Sequence, residues 1–186
     1  MRRVLLVSIL VFILSGCANS DSELDRALTL RKRIINSGRI TFDAVVTADY
    51  GTELYTFQMH CQADQTGQIS FSVIEPETIK GISGTVSSLG GALTFDDQIL
   101  TFPLLADGQV TPVSAPWIIL NTLRSGYIAA CGNDEDLFRL QLDDSYADNA
   151  LHTDIWIDLD NVPVRAEILW KGRRILSLEI NDLTFQ

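Results

Sequence analysis

Histidine is nearly missing from this chain: 186 residues hold two, His60 and His152, beside three cysteines. A histidine-rich metal centre or a Cys–His catalytic pair therefore has little to draw on. His152-x-Asp154 places two potential ligands on one strand face, and two ligands do not make a site. Gly81-Ile82-Ser83-Gly84 lacks the last spacing of a nucleophile elbow. Asp158-x-Asp160-Asn161 lacks the rest of a calcium loop, and Asp134-Glu135-Asp136 reads as a solvated turn. No catalytic residue, metal or cofactor is expected, so the chain reads as no enzyme. Positive charge is scarce as well, with 14 Lys and Arg against 24 Asp and Glu and a net charge of −10. Such a surface suits neither phosphate backbones nor anionic headgroups, which excludes nucleic acid as a partner. Also missing are an apolar run of the ~20 residues that span a bilayer, an internal repeat and any βαβ alternation.

What is present starts at the N-terminus. Arg2 and Arg3 precede residues 4–14, apolar throughout except for Ser8, and Leu14-Ser15-Gly16-Cys17 closes the stretch. This resembles the signal peptide and lipobox of bacterial lipoproteins. The resemblance implies cleavage after residue 16, a diacylglycerol on the Cys17 thiol, and attachment to the extracytoplasmic face of the cell membrane or outer membrane. Residues 1–16 are then a signal peptide, 17–21 a lipidated tether and 22–186 one domain, with 46% hydrophobic residues to supply its core. Cys61 and Cys131 are left as an even pair in a compartment that can be oxidising, and a disulfide is expected between them. The alternative is two separately buried thiols.

Along the domain, Leu24, Ala27, Leu28, Ile34 and Ile35 fall at helical spacing, interrupted on that face by Arg31. Ser22-x-x-Asp25 has the form of a capping box, and Gly38 offers the stop. The period then drops to two. Ile40, Phe42, Ala44, Val46 and Ala48 alternate with polar residues, and so do Tyr55, Phe57, Met59 and Cys61, then Ile69, Phe71 and Val73. Short strands are expected near 81–88, 92–95 and 98–102, with turns at Gly90-Gly91 and Asp96-Asp97. After an irregular stretch, residues 117–123 form a short helix between Pro116 and Gly126. Strands resume at 127–131, 137–143, 151–158, 162–170 and 175–185. The sum is a mainly β, α+β domain of about eleven antiparallel strands in one meander, with two helices.

Val162-Pro163-Val164-Arg165-Ala166-Glu167-Ile168, the turn Gly172-Arg173-Arg174-Ile175 and the close Asn181-Asp182-Leu183-Thr184-Phe185 resemble the lipoprotein-localisation family of the Lol pathway. The strand from Phe71 into Pro76 is similar too. The resemblance implies a curved, incomplete barrel with a helical plug, holding acyl chains between sheet and plug. Phe42, Tyr55, Phe57, Phe71, Phe95, Trp117 and Phe138, with Leu120 on the short helix, would line that concave face. A closed core is the competing reading of the same residues. The family's early F-x-Q strand motif is absent, Ile40-Thr41-Phe42-Asp43-Ala44 standing in its place, so no lipid-contacting residue is carried over from it. Similar lipoproteins also serve as partners of cell-wall or germination enzymes, which leaves a protein-binding role open beside ligand binding.

Overall fold

The computed structural model describes residues 18–106, 109–148 and 150–186; the signal segment and Cys17 lie outside the described residues. Helix α1 (Ala18–Asn36) is followed by six strands: β1 (Arg39–Asp49), β2 (Leu54–Asp64), β3 (Ile69–Glu75), β4 (Ser83–Ser87), β5 (Gly90–Phe95) and β6 (Gln98–Phe102). A connection holding the ribbon β7 (Leu105–Ala106) and β8 (Gln109–Val110) and a 3-10 turn (Pro112–Ser114) leads into helix α2 (Ala115–Ser125). Then come β9 (Tyr127–Asp134), β10 (Leu137–Asp143), β11 (Leu151–Ile157), β12 (Pro163–Trp170) and β13 (Arg173–Phe185).

Eleven strands form one antiparallel sheet in the order β6-β5-β4-β3-β2-β1-β13-β12-β11-β10-β9. The strand and helix numbers agree with the sequence, but the single meander does not. There are two meanders, joined where the first and last strands pair, with Val46 opposite Leu178 and Ala44 opposite Ile180. Among the described residues β6 and β9 pair on one side only, so the sheet is an open, curved half-barrel. Register shifts near Thr41, Gln58, Ile168 and Trp156 bend it, because an extra residue on one strand increases local coiling.

Glycine contributes to the bend where the inner face is crowded. A Cβ on Gly84 would lie 2.2 Å from the Ala92 carbonyl oxygen and 2.9 Å from the Phe71 ring. On Gly91 it would meet the Phe102 ring at 2.2 Å. Each aromatic ring thus covers a bare stretch of backbone on the neighbouring strand. Gly90 and Gly91 lie within β5 instead of forming its turn, since Ser87 already pairs with Gly90. Asp96 and Asp97, with φ of 47° and 61°, make the expected β5–β6 turn.

The inner face carries the core: Phe42, Ala44 and Val46 of β1, Met59 and Cys61 of β2, Leu140 and Leu142 of β10, Ile168 of β12 and Leu178 of β13 are all buried. Among the described residues helix α1 spans Ala18–Asn36, so Ser22 lies inside it. Its buried side is Ala27, Leu30 and Ile34, while Leu24, Leu28 and Ile35 stand exposed. The face is rotated because Arg31 points inward. Its Nε donates to the Leu123 carbonyl at 2.8 Å and its Nη2 to the Gly126 carbonyl at 2.6 Å, capping the end of α2.

The expected disulfide is not formed: Cys61 and Cys131 are both free. Cys61 lies on β2 and Cys131 on β9, with β1, β13, β12, β11 and β10 between them. At ~4.8 Å per strand that is roughly 29 Å measured along the curved sheet, and only cysteines whose Cα atoms lie within ~7 Å can be bridged. Burial pushes the Cys61 thiol well above its ordinary pKa, which keeps it protonated and inert.

Two outcomes follow. Gly84→Ala should destabilise by about 2–3 kcal/mol in urea denaturation, and Gly91→Ala by less, because a phenyl ring can move where a backbone carbonyl cannot. Without reductant, both thiols of the denatured domain should alkylate, and in the native domain Cys131 should react well before Cys61.

Candidate functional site

Helix α2 decides how the concave face is used. Pro116 in its first turn suits the helix start, and Gly126 follows its last residue. Ile119, Leu120 and Leu123 press onto Phe42, Leu178, Ile180 and Leu183, with Pro116 and Pro163 beside them. The space left there is about 10 Å³, at the lower limit for one water molecule. Beneath this side of the helix the half-barrel is filled.

Space opens at the end of the half-barrel where β12 turns into β13. A cleft of about 360 Å³ has an apolar floor of Leu104, Trp117, Ile118, Leu151 and Trp170. Its polar lining is Asn121 and Thr122 from α2, with Asp144 and Ser145 from the β10–β11 connection. A second cleft, about 140 Å³, lies against Ala48, Val110, Ile175 and Leu176, and carries Asp49, Tyr50 and Arg173 on its polar side. Trp170 lines both. Lys171 and Gly172, with φ of 50° and 76°, form the turn that fixes Trp170 at this mouth.

Of the residues that the sequence placed on the ligand face, Trp117 lines a cleft. Phe42, Phe57, Phe71, Leu120 and Phe138 are buried in the core. Tyr55 is 52% exposed at the start of β2, its ring meeting Tyr50 edge-on, and Phe95 is 40% exposed at the end of β5. Trp170 was missed. The one sequence signal for it was a large aromatic directly before a Lys-Gly turn, at the end of an inward-facing row.

The charges around the clefts are mostly committed. The Asp49 carboxylate accepts the Gly51 N–H at 2.7 Å and the Arg173 guanidinium at 3.0 Å. The Gly51 bond first, and then Arg173, hold it below the usual carboxylate range. Asp144 Oδ1 accepts the Leu151 N–H at 2.9 Å. His152 pairs with Asp143 rather than with Asp154, and His60 Nδ1 lies 2.7 Å from Asp43. Asp154, 4% exposed on the outer face, accepts Arg139 at 2.7 Å and Gln141 at 2.9 Å. Trp156 donates to Asp134 at 2.7 Å beneath Arg165, whose guanidinium is 3.8 Å from the indole centre. Apart from the buried Arg139 Nε, which has no partner, this outer network spends its polar groups on one another and so reads as structural. Among the described residues no group of three or more His, Cys, Asp or Glu is placed to hold a metal ion.

No protein-family model matches the sequence, and no curated protein matches it. Solved structures do. A putative outer membrane lipoprotein-sorting protein domain from Vibrio parahaemolyticus is similar with a TM-score of 0.52 and 12% identity, over 90% of this chain and 94% of that one. A LolA-superfamily protein from Nitrosomonas europaea gives 0.47 and 8%, over 86% and 93%. The Mycobacterium tuberculosis lipoprotein LppX gives 0.42 and 11%, over 87% and 93%. At such identities the likeness is one of fold. This chain has the open half-barrel fold of the lipoprotein-sorting domain, as the C-terminal strands implied.

Proposed function

We propose that the protein is a membrane-anchored, non-catalytic lipoprotein that takes an acyl chain or a similar apolar group into the clefts beside Trp117 and Trp170. The observation that carries this reading is the larger cleft. At about 360 Å³, lined by five apolar residues and a few polar ones, it has the size and lining of a small-molecule site. The rest of the concave face supports the protein. Binding against Phe42 or Leu120 would require α2 to lift, and Arg31 ties α2 to α1 through two hydrogen bonds.

Anchoring rests on Cys17. Among the described residues no helix is long and apolar enough to cross a membrane. The first described residue, Ala18, already belongs to α1, so the domain would sit close to the bilayer, with Leu24, Leu28 and Ile35 exposed on the helix nearest to it.

A second reading, a protein partner, is favoured by the free edge of β6. Gln98–Phe102 contains no charge, and Ile99 and Leu100, on opposite faces, are 73% and 60% exposed. Such an edge can accept a strand from another chain.

Native mass spectrometry of gently purified domain separates the two. Copurifying lipid that is lost in Trp170→Asp and kept in Ile99→Lys supports the cleft. An empty domain whose envelope-protein partner is lost on Ile99→Lys sinks it. Mass spectrometry of the mature N-terminus from membranes should find lipid mass on Cys17, and Cys17→Ala should move the protein out of the membrane fraction. An N-terminus elsewhere would remove the anchor.

A further inference from the structure

Resting on the larger cleft being a ligand site, we infer that its occupant carries an uncharged or cationic hydrogen-bonding head group, and that anionic amphiphiles are disfavoured there. The apolar Leu104, Trp117, Ile118, Leu151 and Trp170 suit a chain, and the polar lining residues come from α2 and from the β10–β11 connection. They offer the Asn121 amide, the Ser145 hydroxyl and the Asp144 carboxylate. Among the described residues no Lys or Arg lines this cleft.

Asp144 is held in place, because its Oδ1 accepts the Leu151 N–H and its own N–H donates to the Leu151 carbonyl. A carboxylate has about four acceptor positions, so most of its capacity is left for a donor on a ligand. Asp143, the residue before it, lies outside the lining and is paired to His152.

The nearby cations do not offset this charge. Arg173 belongs to the smaller cleft and is engaged by the Asp49 carboxylate and carbonyl, at 3.0 and 2.9 Å. The Lys171 ammonium lies 5.6 Å from the Trp170 ring centre, at the tip of the hairpin and outside the lining. An amine, hydroxyl or amide head would find acceptors and no repulsion. A carboxylate or phosphate head would face Asp144 with no lysine or arginine among the lining residues to balance it, in a chain of net charge −10.

The test compares three probes with one tail, decylamine, decyl glucoside and decanoate, by calorimetry at neutral pH below their micelle concentrations. Decylamine and the glucoside should bind, and decanoate about tenfold or more weakly. Asp144→Lys should reverse the order of amine and carboxylate. Asn121→Asp, which leaves the Leu151 hydrogen bonds intact, should weaken decanoate further. Lys171→Ala should leave the order as it was. Equal binding of all three, an order unmoved by Asp144→Lys, or a decanoate affinity unmoved by Asn121→Asp, overturns the head-group inference while the cleft stands. Failure of all three to bind overturns the cleft, and this inference with it.

Discussion

The ladder between β1 and β13 holds the two halves of this molecule together. Each half is a meander whose neighbouring strands are joined by short turns, and each has its own run of inward-facing apolar residues. Only the pairing of Arg39–Asp49 with Arg173–Phe185 makes one sheet of them. That contact closes almost the whole domain as a loop, so its entropic cost is paid before the inner face can be filled. What offsets the cost lies on the same two strands. Ala44, Val46, Leu176 and Leu178 are all buried, and the small Ala44 and Ala48 leave room on β1 for side chains arriving from across the concave face.

A curved sheet with open edges cannot bury its inner face against itself, so a helix must enter it. Helix α2 is apolar on more than one side, with Ile118, Ile119, Leu120 and Leu123 buried around it. Its last turn presents carbonyls in an apolar setting, which is costly unless donors reach them. Arg31 supplies those donors, and burial lowers its pKa without threatening a charge whose ordinary value is so high. One guanidinium therefore connects α1, the end of α2 and the chain leading into β9. Arg33 covers the Phe185 ring at 4.0 Å, where a planar cation on an aromatic face is favourable.

Much of this was legible in the sequence, for local reasons. Period-two alternation gave β1, β2 and β3, Pro116 and Gly126 bracketed α2, and Asp96-Asp97 and Lys171-Gly172 have the composition of hairpin turns. The β1–β13 pairing was not legible, because alternation says which way a side chain points and nothing about which strand lies alongside. Arg31 interrupts an apolar face in the pattern because periodicity counts a guanidinium as polar, whereas its hydrogen bonds make it an inward residue. The disulfide failed for a related reason. An even pair of cysteines carries no information about the number of strands between them.

The candidate site shows the same limit more sharply. Phe42 and Trp117 are both large and apolar and both lie near the concave face, yet one ends in a filled core and the other beside a cleft. The difference is set by which side of α2 each one meets. Beneath Ile119, Leu120 and Leu123 the helix fits the sheet so closely that about 10 Å³ remains. On the Trp117 side its neighbours are Leu104 from an irregular connection, Trp170 at a hairpin and Ser145 in a loop, and such segments rarely interdigitate as densely as paired elements do. Stability and binding can therefore share one helix without competing for the same surface. The tightly packed side anchors α2, and the loosely packed side is left with apolar area that a ligand can cover.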